Sequence, residues 1–139
     1  MTSPGRVMQT LKFGFIVSGL LLILVMVKIP VKSATVANPV IEIALTVIAL
    51  IELTIGLFAK PLVLQIVSNS RQIAKPSPLQ RWMTANIFSL SCIDACMLVG
   101  LVLHFLRGRA MLVELLFGAA LISLLFWSPG TPPNAENAV

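Results

Sequence analysis

The polar positions of this chain gather into short clusters separated by four long apolar runs, at about residues 13–30, 39–67, 82–106 and 110–127. A helix rises about 1.5 Å per residue, so roughly 20 residues cross the hydrocarbon core of a bilayer. The pattern predicts an all-α fold, an integral membrane four-helix bundle over residues 1–130. Residues 131–139 are Pro-rich and polar and are expected to form a disordered tail. The second run exceeds what a bilayer needs. Pro61 removes a backbone donor within it, so a kink is predicted there, with residues 62–67 at the interface. Asn38 reads as the N-cap of this helix and Pro39 as its first-turn residue. Gly108, between Arg107 and Arg109, reads as the left-handed residue of a very tight turn. Connections this short make neighbouring helices antiparallel.

Composition agrees. The chain is 58% hydrophobic and 11% charged, whereas soluble domains carry about 25% charged residues. There are too few polar residues to cover a water-facing surface, and a lipid bilayer removes the need for one. The net charge is +5, but the basic residues sit between the apolar runs. That is loop charge at lipid headgroups, which excludes a nucleic-acid patch. The first run is longer than the roughly 7–15 residues of a signal core, so it is expected to remain as a span. Ala34 and Ala37 nevertheless fit a small-residue cleavage pattern. Arg6, Lys12, Arg71, Lys75 and Arg81 fall on one side of the predicted bundle, against Lys28, Lys32, Arg107 and Arg109 on the other. The excess favours cytoplasmic termini. Trp82 and Trp127 then mark one headgroup level.

Ionisable groups at membrane depth are expensive, so each requires a reason. Glu42 falls in the first turn of the second helix and reads as a solvated acid favoured by the helix dipole. Glu52 and Asp94 lie near the middle of their spans. Each should face protein or trapped water, or carry its proton. They are either hydrogen-bonded pins of helix register or a proton or cation site. Ala49, Gly56 and Ala59 share the side of Glu52, where small residues let another backbone approach. Ser91 lies one turn from Asp94. A second stripe, Ser89, Cys92, Cys96 and Gly100, faces the other way and reads as a packing interface for a second copy or a partner subunit. His104 and Glu114 should lie at similar depth across the tight turn as an interhelical pair. Lys60 should snorkel outward. One histidine without a second ligand in register makes a metal or haem site unfavourable. Cys92 and Cys96 read as small packing residues. No cofactor is expected, and no nucleophile–base pair marks an enzyme.

Two resemblances attach to these residues. Asp94-Ala95 followed by Gly100-Leu101-Val102, with Phe126-Trp127-Ser128-Pro129 closing the last helix, resembles a group of uncharacterised four-span bacterial membrane proteins. That implies a bacterial inner membrane. The Asp94-Ala95 to Gly100-Leu101-Val102 spacing alone is also similar to the ion-carrying helix of rotary ATPase proteolipid subunits, which implies Asp94 as a proton carrier. Two departures stand against the second resemblance: the preceding helix lacks a dense glycine repeat, and the loop holds Arg71-Gln72 without a following proline. The reading is a small non-enzymatic accessory or structural membrane subunit. The alternative is a proton- or cation-coupled transport element using Asp94 and Glu52.

Overall fold

The computed structural model describes residues 3–29, 38–58, 60–69 and 77–133. Over these residues it is helical, with no strand: α1 (Pro4–Lys28), α2 (Pro39–Phe58), α3 (Lys60–Asn69), α4 (Pro78–Phe105) and α5 (Ala110–Phe126). By length and composition α1, α2 and α4 can each cross a membrane. The 17 residues of α5 make it about 25 Å long. Most of the first interhelical connection, residues 70–76 of the basic loop and residues 134–139 of the tail lie outside the described residues.

Helix boundaries follow capping chemistry rather than the edges of the apolar runs. α1 starts nine residues before the expected 13, with Pro4 in its first turn. α4 starts before the expected 82. Ser77 accepts from the Gln80 N–H, the Gln80 side chain accepts from the Ser77 N–H, and Pro78 occupies the first turn. This capping box satisfies two helix-end donors reciprocally. Asn38 caps α2 as expected, accepting from the Val40 N–H at 2.9 Å. Of the helix expected over 39–67 with a kink at Pro61, α2 covers residues up to Phe58 and α3 those from Lys60; Ala59 between them lies outside the described residues. Pro61 is the second residue of α3.

The α4–α5 turn also differs from expectation. The left-handed residue is Arg107, at φ 58°, not Gly108. The Gly108 N–H reaches the Leu103 carbonyl at 2.8 Å and the Arg107 N–H reaches that of His104 at 3.1 Å. These are the two bonds of a Schellman ending. Gly108 is needed for a different reason: a Cβ there would stand 3.2 Å from the Leu103 carbonyl oxygen.

α4 is the central element and touches each of the other four helices. Three glycines permit its close contacts. A Cβ on Gly19 of α1 would fall 2.7 Å from the Met97 sulfur. One on Gly56 of α2 would fall 2.9 Å from Ile93 and 3.0 Å from the Ser89 carbonyl. One on Gly100 would fall 2.9 Å from the Phe117 ring. Leu90, Ile93, Met97, Leu103, Leu124 and Ala120 fill the core between these contacts. Large apolar side chains such as Phe13, Leu21, Ile43, Ile51, Phe58, Ile122 and Phe126 face outward. So broad an apolar exterior is unlike that of a monomeric soluble protein.

Gly56→Ala and Gly118→Ala separate close packing from helix propensity. Nothing lies within 4 Å of a Cβ at Gly118, so that change should be neutral or stabilise by up to about 1 kcal/mol. Gly56→Ala should destabilise by about 1–3 kcal/mol through overpacking. Unfolding of both variants in mixed micelles checks the contrast, and equal effects would refute the α2–α4 contact.

Candidate functional site

Polar side chains occur at both ends of the bundle and in its middle, and they are satisfied very differently. At the start of α5, Arg109 supplies no side-chain cap of its own. Glu42 of α2 does so from across the bundle: its Oε1 accepts from the Arg109 N–H at 2.7 Å, and its Oε2 lies 3.6 Å from the Arg109 Nε. Glu42 is therefore a buried interhelical cap and not the solvated acid expected from its place in α2.

The far end of α5 is held from three helices. Lys12 of α1 donates to the carbonyls of Leu125 at 2.8 Å and Trp127 at 2.9 Å. Lys60 of α3 donates to the Ser128 carbonyl at 2.6 Å and stands 4.3 Å from the Trp127 ring centroid. Lys60 thus turns inward instead of snorkelling. Its charge stabilises the negative end of the helix dipole and the indole face. The Trp127 indole N–H donates to Ser89 Oγ at 2.9 Å, and the Ser89 hydroxyl donates in turn to the Gly56 carbonyl. Trp82 and Trp127 are both buried in protein, so neither is simply a headgroup anchor.

This chain of bonds changes the meaning of the small-residue stripe. Ser89 and Cys96 are buried, the Cys96 thiol lies 3.9 Å from the Leu116 carbonyl, and Gly100 abuts Phe117. Cys92 lies beside Gly56. The stripe Ser89, Cys92, Cys96, Gly100 packs α4 against α2 and α5 of the same chain. It is covered internally, so it does not present the intersubunit face expected of it. The thiols remain unpaired.

The middle of the bundle is less satisfied. Glu52 Oε2 is buried without a hydrogen-bond partner. Asp94 Oδ1 is buried and unpartnered too, as is His104 Nε2 in the last turn of α4. Asp94 opens onto a cleft of about 300 Å³ between α1 and α4, shared with Thr10, Gly14, Phe15 and Ser18. His104 and Glu114 line one cleft of about 320 Å³ with Ile23 and Met26. The fold brings these two residues together without a hydrogen bond to His104 Nε2. Asp94 and Glu52 meet different neighbours. Among the described residues no group of three potential ligands converges on a metal position.

Sequence reasoning did not single out Asn86, which is fully buried. Its Nδ2 donates to the Trp82 carbonyl at 2.9 Å while its Oδ1 stays unpartnered. It also passed over the Gly14–Ser18 pair, whose small-x-x-x-small spacing was a readable signal. No protein-family model matches the chain, and no curated protein or solved structure matches it significantly. The fold and its polar groups define a class only: an all-helical protein whose three longest apolar helices suit a membrane.

The interhelical cap gives a test. The Arg109 side chain is 77% exposed, so the charge attraction contributes little and the N–H bond dominates. Glu42→Gln should cost under about 1 kcal/mol, and Glu42→Ala about 1–3 kcal/mol, because a donor loses its acceptor. Chemical unfolding of the two variants measures the difference; equal losses would show that the ion pair matters most.

Proposed function

We propose that this chain is a non-enzymatic accessory or structural subunit of a membrane complex, crossing the bilayer four times. Its groove between α1 and α4 receives a membrane helix of a partner. The observation that carries the reading is the Asp94 cleft. Asp94 Oδ1 has no partner, and a Cβ at Gly14 would meet nothing within 4 Å. In hydrocarbon no water relieves a bare carboxyl oxygen. A neighbouring helix bearing a hydrogen-bond donor can relieve it, and Gly14 and Ser18 leave room for that helix to approach. Lys12 bonded to the end of α5 supports a layout with both termini at one end. Together with the basic residues of Arg6, Lys12 and Arg81 at that end, it supports a bacterial cytoplasmic membrane with both termini inside.

The unpartnered oxygens on both Asp94 and Glu52 favour one second reading, proton or cation transport. Proton flux driven by a pH gradient into liposomes distinguishes the two. The subunit reading expects flux no greater than in empty liposomes. Flux in the wild type that disappears in Asp94→Asn would replace it with transport.

The topology has its own test. Single cysteines at Ser3, Ser77 and Asn137 should be labelled from one side of the membrane. Labelling of Ser77 opposite Asn137 would end the four-span arrangement.

The groove is tested by native electrophoresis of solubilised membranes. The wild type and Asp94→Asn should migrate in a complex, since the amide keeps both a donor and an acceptor. Asp94→Leu and Gly14→Leu should release the monomer, while Gly118→Leu, a change into equally open space, should not. A complex insensitive to both groove variants would refute the docking role.

A further inference from the structure

A different cleft lies where α3, the start of α4 and the segment after α5 meet. It measures about 370 Å³, and its walls include Leu64, Arg81, Trp82, Thr131, Pro132 and Pro133. Arg81 stands in the first turn of α4, immediately before the apolar run that begins at Trp82. Its Nε is buried and has no hydrogen-bond partner. A guanidinium cannot shed its charge, so a buried N–H of this kind calls for an acceptor, and an anionic oxygen suits it best.

The chain supplies none among its described residues. Glu42 and Glu114 belong to the opposite end, near the start of α2 and of α5, while Glu52 and Asp94 lie along the middle of their helices. The other cations near this end do not compete for the cleft. Lys12 and Lys60 are committed to the carbonyls that end α5, so they add positive potential without occupying the space. Apart from Thr131, the remaining walls are apolar. Pro132 and Pro133 have no backbone N–H to offer, and Leu64 and Trp82 present hydrocarbon and indole. Thr131 adds a hydroxyl donor.

We infer that this cleft binds the phosphate of an anionic phospholipid. Arg81 holds the phosphate oxygens by charge-assisted hydrogen bonds, and the Leu64–Trp82–Pro132 wall covers the start of an acyl chain. Free inorganic phosphate shares the polar half of this chemistry but not the apolar half. The site is separate from the Asp94 groove and does not depend on it.

Native mass spectrometry of the full chain in detergent, titrated with phosphatidylglycerol, phosphatidylcholine or inorganic phosphate, tests the assignment. The wild type should retain phosphatidylglycerol in preference to phosphatidylcholine. Arg81→Gln should weaken that binding by about tenfold or more, and Arg81→Lys by less, because lysine keeps the charge but not the planar fork. Arg6→Gln, an exposed basic residue off the cleft, should bind as the wild type does. Equal retention by wild type and Arg81→Gln, or equal losses in the Arg81 and Arg6 variants, would overturn the site. Inorganic phosphate that binds as tightly as the lipid would overturn the lipid assignment. If Arg81→Gln fails to fold, Arg81→Lys and Thr131→Val carry the test: each should weaken phosphatidylglycerol binding, and wild-type retention by both would refute the site.

Discussion

Close backbone approach along α4 governs how the other helices are arranged. Where apolar side chains face an apolar surround, burial itself gives little driving force, and helices associate by tight van der Waals packing and interhelical hydrogen bonds. Gly19, Gly56 and Gly100 provide that tightness, because each leaves no space for a Cβ beside Met97, Ile93 or Phe117. α2 and α5 consequently lie against the same small-residue stripe of α4, and α1 closes on α4 near Met97. α1 buries only Met8 and Gly19, which makes it the most loosely integrated of the long helices and the one best placed to share its surface.

Polar chemistry is divided between ends and middle. The ends of α5 are closed by groups from other helices: Glu42 at its start, Lys12 and Lys60 at its finish. These are the positions where helix geometry leaves backbone donors and acceptors unsatisfied. Ser89 and Trp127 extend the second closure inward to the Gly56 carbonyl, joining a hydrogen-bond path to the tightest helix contact. In the middle, Glu52 and Asp94 each keep an unpartnered buried atom, as His104 does in the last turn of α4. Such atoms are costly in a completed fold. Asp94 differs from the other two because its cleft also contains the Gly14–Ser18 small-residue pair.

Two surfaces emerge with separate chemistry. The α1–α4 groove is an apolar surface with one buried carboxyl group, suited to another helix. The Arg81 cleft joins a cation to an apolar wall, suited to an amphiphile.

The sequence by itself determined the helical class, the four apolar runs and the capping of α2 by Asn38, because these depend on composition and on neighbours a few residues apart. The start of α4 was equally local. Ser77-Pro78 and Gln80 spell a capping box, and the hydropathy edge at Trp82 obscured it. The Schellman turn was only half legible: its position followed from Gly108, while the backbone gave the left-handed conformation to Arg107 and used the glycine to clear the Leu103 carbonyl. Tertiary structure alone decided the rest. Nothing near Glu42 in sequence reveals that it caps a helix 67 residues away. Nothing near Lys60 reveals that Ser128 and Trp127 draw it inward. The Ser89–Cys96–Gly100 stripe was visible as a packing face, but which helices cover it depends on interhelical distance and crossing. Periodicity assigns a residue to a face of its own helix; the partner across that face is fixed only when the helices pack.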